Sequence, residues 1–182
     1  MISHEDAKAL LFEHLKSQNL RNHCMAVAYV MESLAPRLGL DVEECYLAGL
    51  LHDIDLDYIG SDFSQHGKKA MELLKDAGLT DEMLKAIRAH TGNEPVETLF
   101  DQALWIADPI TGLITASAYM RPDRKVSTIE LSSLKKKYKS KGFAAGVSRE
   151  QIAECEKLGI SLDDFLQLSL DAMGSHEEEL GF

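Results

Sequence analysis

Leu47-Ala48-Gly49-Leu50-Leu51-His52-Asp53 is an apolar run that ends in two polar side chains. The run reads as the end of a buried helix. Polar groups in such a place are costly unless they are paired or bound to a metal. Imidazole and carboxylate side by side form a mixed nitrogen and oxygen donor set, which suits Fe, Mn, Zn, Ni or Co. Further candidate ligands stand at His23, His66, His90 and Asp108, each in a segment that looks structured.

Outward from this run, nearly everything reads as helix, because apolar residues recur at helical spacing and no alternating strand pattern is present. A first helix is expected over about Ser3 to Ser17, with Ser3 as N-cap. A second covers about Leu20 to Leu38, with Ala26, Val27, Val30, Met31 and Leu34 on its apolar side and Gly39 as its stop. Asp41 caps a third that reaches His52. Asp53–Phe63 reads as a loop, Ser64 as the N-cap of a helix to about Asp76, and Thr80 as the cap of another to His90. After a turn at Thr91–Pro95, a longer helix spans about Glu97 to Tyr119, kinked at Pro109. Ser148-Arg149-Glu150-Gln151 has the form of a capping box, and Ser161 opens a final helix. The fold class expected is all-α: a helical bundle over residues 1–120, followed by a basic segment and C-terminal helices, 121–182, packed on the same domain.

The chain has 182 residues, 45% of them hydrophobic and 27% charged, which fits one globular domain with a real core. No apolar run approaches the ~18 residues of a membrane span. The first residues, Met1-Ile2-Ser3-His4-Glu5-Asp6, carry acids where a signal peptide would carry bases, so a cytoplasmic address is expected. Cys24, Cys45 and Cys155 show no CxxC spacing and read as buried free thiols. A net charge of −11 argues against general nucleic-acid binding. Residues 121–149 nevertheless hold nine Lys and Arg against two acids, +7 locally, leaving −18 on the remainder. That asymmetry points to a local anionic ligand.

Taken alone, His23 or His90 reads as a hydrogen-bonded helix histidine, and Asp108 divides evenly between cap and ligand. Taken together, the order His23, His52-Asp53, His66, His90, Asp108 resembles the six-ligand version of the HD domain. His66-Gly67 at a helix start and Ala86-Ile87-Arg88-Ala89-His90-Thr91 are similar to the HD-type diadenosine tetraphosphate hydrolases. The stretches Ala48 to Asp55, Ala107 to Ile114, Arg121 to Lys125 and Ser133 to Arg149 resemble the predicted HD-superfamily hydrolases of bacteria and archaea. This resemblance implies an HD-domain helical bundle and metal-dependent phosphohydrolase activity. It implies that His23, His52, Asp53 and Asp108 form a core metal site, with His66 and His90 completing a second, and so a pair of divalent transition-metal ions (Fe, Mn, Ni, Co or Zn). Metal pairs of this kind clamp in-line phosphoryl displacements and activate water.

Asp55 and Asp57 follow the dyad. They read either as turn-capping and solvated groups or, with Asp53, as catalytic groups that orient or deprotonate the attacking water. Asp55 and Leu56 stand where HD-GYP phosphodiesterases carry Gly and Lys, which counts against cyclic-di-GMP. Arg124, Lys135, Lys136, Lys137, Lys139 and Lys141 are the candidates for anchoring substrate phosphate. The expected substrate is a small phosphorylated metabolite or nucleotide, cleaved as a phosphomonoester or phosphodiester. Two alternatives share the ligand set: a di-iron HD-domain oxygenase, and a non-catalytic metal- or nucleotide-binding module. The sequence sets no oligomeric state.

Overall fold

A computed structural model describes residues 1–182. The chain is all-α, as expected, and no helix is long and apolar enough to cross a membrane. Helix α1 covers His4–His14 and is capped by the Ser3 hydroxyl, which accepts from Asp6 N. It stops short of Ser17 because that residue is spent as the N-cap of α2, Gln18–Leu38. Gly39, left-handed at φ 68°, ends α2, and Asp41 caps α3, Val42–Leu51.

The segment after the dyad is more ordered than a loop. It forms a short helix α4, Leu56–Ile59, and a 3₁₀ turn at Phe63–Gln65. Ser64 lies inside that turn and caps nothing downstream. Helix α5, Lys68–Leu74, starts after Gly67 (φ 83°). Its first amides are capped from a distance: Asp55 Oδ2 accepts from Gly67 N at 2.8 Å and Ala70 N at 3.0 Å. A carboxylate at a helix N-terminus satisfies orphan N–H groups and meets the positive end of the dipole.

Helix α6, Asp81–Ala89, is capped by Thr80, and α7, Leu99–Tyr119, by a Thr98/Asp101 capping box. Helix α7 runs on through Pro109. Proline has no N–H to give the carbonyl four residues back. Gln151 Nε2 reaches that carbonyl, Trp105 O, at 3.4 Å and supplies the missing donor. Then come α8 (Leu131–Lys139), α9 (Arg149–Ala153) and α10 (Leu162–Ser175). Arg149 is committed to structure. Its guanidinium donates to the carbonyls of Tyr138, Ser140, Phe143, Ala144 and Val147, and so shapes the loop between α8 and α9.

One hydrophobic cluster joins the helices. It takes in Leu134, Ile152, Phe165, Leu166 and Met173 from the C-terminal helices along with the apolar faces of α2, α3 and α7. All three cysteines are free and buried within it. The closest approach is between α2 and α3, where Gly49 lies against Ala28. A Cβ at residue 49 would meet Ala28 Cα at 2.8 Å and its N at 2.9 Å. Both clashes are with backbone, so the helices themselves must part. Gly49→Ala is expected to cost about 1–3 kcal/mol, the usual range for overpacking a core. For a domain of this size that lowers Tm by roughly 2–4 °C per kcal/mol. Thermal unfolding by circular dichroism checks this; an unchanged Tm would contradict the packing described.

Candidate metal centre

The core decides where the donors go. His23 comes from α2, the His52-Asp53 dyad from the end of α3, His66 from the turn before α5, His90 from the end of α6 and Asp108 from α7. Tight packing of α2 on α3 brings the His23 and His52 rings to 5.2 Å. The His52–His90 and His66–His90 ring pairs stand at 4.8 and 4.9 Å. All six sequence-derived candidates therefore meet in one cluster.

Asp53 stands at its centre. Its Oδ2 faces His23 Nε2 at 3.5 Å and His52 Nε2 at 3.3 Å, while Oδ1 faces His66 Nε2 and His90 Nε2, both at 3.2 Å. Asp108 Oδ1 lies 3.1 Å from His23 Nε2 and 4.0 Å from His52 Nε2. Thus one carboxylate joins a His23/His52/Asp108 half to a His66/His90 half.

Each imidazole turns its other nitrogen to an oxygen. His52 Nδ1 meets Gly49 O at 2.7 Å, and His90 Nδ1 meets Ile87 O at 2.7 Å. His66 Nδ1 meets Asp55 Oδ1 at 2.8 Å. His23 Nδ1 meets Thr111 Oγ1 at 3.1 Å, and that hydroxyl itself donates to Asp108 O at 2.9 Å. Each such oxygen accepts from an Nδ1–H, and this fixes the tautomer. In the neutral rings Nε2 is then a bare lone pair aimed at carboxylate oxygen. Two acceptors at 3.2–3.3 Å need a cation between them. His52 Nε2 is the clearest case, fully buried and without a hydrogen-bond partner. That orphaned atom and the mixed N/O donor set fit a divalent transition metal.

The electrostatics agree. Burial pushes the Asp53 carboxyl upward, but His52 and the facing imidazoles outweigh it and hold it well below the usual range. Asp108 is lowered in the same way, chiefly by His23. Burial works against charge on His23 and His66, yet bonds to Asp108 and Asp53, and to Asp53 and Asp55, raise them to about 10 and about 9.

The other sequence candidates have other places. Asp55 is fully buried and its oxygens are taken by His66, Gly67 N and Ala70 N, so it positions His66 and does not face an open space where water would react. Asp57 is exposed and accepts from Lys16 N at 2.6 Å, in the connection between α1 and α2. Asp55 has both oxygens engaged, and Asp57, with Oδ2 engaged by Lys16 N, makes no bond to the cluster. None of the six cations bonds to the cluster. Lys135 pairs with Asp163 at 2.6 Å, and Lys137 donates to Ser117 O at 3.1 Å beneath Phe143. Arg124 is exposed, with a left-handed backbone (φ 54°). Lys136, Lys139 and Lys141 are exposed, and the first two line a groove with Ser132. The reading of single residues missed Thr111. Its signal was present, since it lies three residues after Asp108 and so on the same helix face.

The cluster opens on one side. The His52 and His90 side chains are 0% and 2% exposed, whereas His23 and Asp108 are 25% and 32% exposed.

The HD domain family model matches residues 20–131. Ribonuclease Y of Aquifex aeolicus is 33% identical over 179 residues, which covers 95% of this chain and 32% of the relative. Ribonuclease Y of Desulfotalea psychrophila is 30% identical over 170 residues, covering 91% and 32%. The chain spans about a third of the length of these curated relatives. No solved structure matches it.

Two measurements test the site. Asp55→Asn is expected to lower the affinity for added Mn²⁺ by roughly 10–100-fold, the usual effect of losing a partner that orients a ligand histidine. Asp57→Asn should leave it unchanged in the same calorimetric titration; equal losses would refute the distinction. The pH dependence of the metal-free protein has a definite sign. A raised histidine stabilises the fold fully below its unfolded pKa near 6.5 and loses this as pH climbs through about 9 to 10. The depressed Asp53 and Asp108 contribute above their unfolded pKa of about 3.9, and less as pH falls through their lower folded values. Alkaline unfolding of the metal-free protein should therefore be blunted in His23→Gln, and an unaltered alkaline limb would speak against the pairing.

Proposed function

The chain belongs to the HD domain family, and on that premise we propose that it is a metal-dependent phosphodiesterase acting on single-stranded ribonucleotide chains. The observation that carries the reading is the Asp53-centred cluster, four imidazole lone pairs and two carboxylates aimed at one place and open on one side. His23, His52, Asp53 and Asp108 would hold one ion, and His66 and His90, sharing Asp53, a second. Divalent metal bound there supplies Lewis acidity and lowers the pKa of water, which makes a nucleophile near neutral pH.

The chain's own residues do the rest. Thr111, Gly49 O, Ile87 O and Asp55 hold the four rings in the tautomer that presents Nε2. Buried His52 and His90 close the back of the site, so a phosphodiester approaches past His23 and Asp108.

Substrate class rests on two further supports. The relatives are named for a ribonuclease. The basic segment also lies along the half of α7 that follows Asp108: Val147 is beside Gly112, and Lys137 is bonded to Ser117 O. Ser117 is nine residues beyond Asp108, roughly 13 Å along a helix. That is too far for a scissile phosphate and suits phosphates one or more nucleotides away. A strongly acidic protein with one local cationic strip disfavours general nucleic-acid binding, yet it can hold a chain that threads one site. An oxygenase would need no such strip.

The test uses the purified chain with added Mn²⁺, Ni²⁺, Co²⁺, Zn²⁺ or Fe²⁺, an unstructured oligoribonucleotide, and the small diester bis(p-nitrophenyl) phosphate. Cleavage of both should require metal and vanish in Asp53→Ala; no cleavage with any metal would overturn the reading. Replacing Lys136, Lys139 and Lys141 together by Gln should raise KM for the oligoribonucleotide about 5–20-fold. It should also reduce the salt slope by about 2, as expected for three lost phosphate contacts on a single strand. The small diester should be unaffected, and an identical salt slope would show that these lysines are merely solvated.

A further inference from the structure

A second space opens beside the cluster. On α7, Asp108, Gly112, Thr115 and Tyr119 follow one another at spacings of four, three and four, so they share one helix face. On α2, Asn19, Asn22, His23 and Ala26 do the same. Between the two faces lies a cavity of about 250 Å³, with the segment Leu180–Phe182 as its third wall. Ala26 and Gly112 are the small residues in its two helical walls.

The cavity is not a separate feature of the surface. His23 lines it and also faces Asp53 and Asp108 in the cluster, on the side where the cluster opens. A group seated there sits immediately beside the approach to Asp53 and Asp108.

The lining has a definite chemical character. Apart from His23 it carries no ionisable side chain except the Tyr119 phenol, and no Lys or Arg reaches it. A phosphate would find no Lys or Arg there. Two aromatic rings stand at one end, Tyr119 and Phe182, with centroids 5.7 Å apart and tilted by 46°. Tyr119 is half exposed, so part of its ring surface is free to meet a ligand. Hydrogen-bonding groups stand along the walls: the Asn19 and Asn22 amides and the Thr115 hydroxyl. Asn22 Oδ1 is engaged by Gln18 Nε2 at 2.7 Å, which sets the amide's orientation and leaves its Nδ2 hydrogens as the donors. Drug-sized ligands take pockets of roughly 300–1,000 Å³. This smaller space suits one ring system.

We propose that this cavity is a nucleobase subsite, which holds the base of the nucleotide next to the scissile phosphodiester. Flat shape, apolar faces and polar edges are what aromatic rings and amides recognise together. Stacking on aromatic side chains, with hydrogen bonds to base edges, is how proteins read bases splayed from a single strand. A base within a duplex has its faces stacked and its Watson–Crick edge taken, so the subsite selects unpaired substrate. Cations and base contacts are thus divided: the lysine strip neutralises phosphates at a distance, and the uncharged cavity holds the base beside the metal site. The placement of the scissile bond rests on the phosphodiesterase reading; the recognition of a base does not.

The experiment compares adenosine 5′-monophosphate with ribose 5-phosphate by calorimetry, two ligands alike except for the base. The wild-type chain should bind the nucleotide at least about tenfold more tightly. Thr115→Phe, which fills the cavity, should erase that ratio. Tyr119→Ser, at a half-exposed position that tolerates change, should cut it several-fold with the fold intact by circular dichroism. Equal affinities in the wild type, or a ratio kept in both variants, would overturn the subsite. A parallel assay measures cleavage of a dinucleoside monophosphate and of its counterpart lacking one base. Base preference in binding without turnover of either would retain the subsite and reject the phosphodiesterase reading. Equal turnover of both, with equal binding, would do the reverse.

Discussion

The Asp53 carboxylate faces four imidazole nitrogens from four different segments of the chain, and that contact ties those segments to one another. A buried carboxylate costs several kcal/mol unless charge and hydrogen bonds compensate it. Here the compensation cannot come from neutral histidines, because their free nitrogens are acceptors like the carboxylate itself. Some cation must stand between them. Without metal, protons serve, as the raised His23 and His66 indicate. With metal, the protons leave, since a ligating imidazole must be neutral. The same geometry would therefore hold the core together in one state and carry metal in the other.

Each ring is locked from behind, by three kinds of device. Two use the carbonyl three residues earlier in their own helix, Gly49 O for His52 and Ile87 O for His90, so helix geometry alone sets the ring. His66 lies outside a helix and has no such carbonyl. Asp55 fills that role and, with the same carboxylate, caps α5. The dyad's neighbour thus ties the position of His66 to the formation of the helix that follows it. His23 depends on Thr111, and through it on α7, so the element that brings Asp108 also orients His23.

What the sequence made legible was whatever depends on local spacing. Helix stops at Gly39 and caps at Ser3, Asp41, Thr80 and Ser161 follow from short-range signals, whereas the six donors, spread from His23 to Asp108, were picked out by their resemblance to the HD domain. Capping at α5 did not, because its carboxylate comes from Asp55, twelve residues before Gly67, and the nearby Ser64 was a plausible but unused substitute. Likewise the lysine run reads as uniform along the chain, yet folding divides it. Lys135 and Lys137 find partners, whereas Lys136, Lys139 and Lys141 remain open to solvent. Tertiary context alone makes that distinction.

The charge distribution follows from the same division of labour. A site built on carboxylates repels the polyanions it is proposed to cleave until metal is bound, and the −11 net charge adds to the repulsion. Cations close to the cluster would offset this but would also compete with metal for Asp53 and Asp108. Lysines placed along the second half of α7, roughly 13 Å of helix beyond Asp108, would attract substrate phosphates without bonding to the cluster. Space nearest the ligands is then left to uncharged walls, where a base can be held by its faces and edges. In the proposed arrangement the strip would supply affinity and the cavity selectivity, the division between phosphate and base contacts that governs nucleic-acid recognition generally.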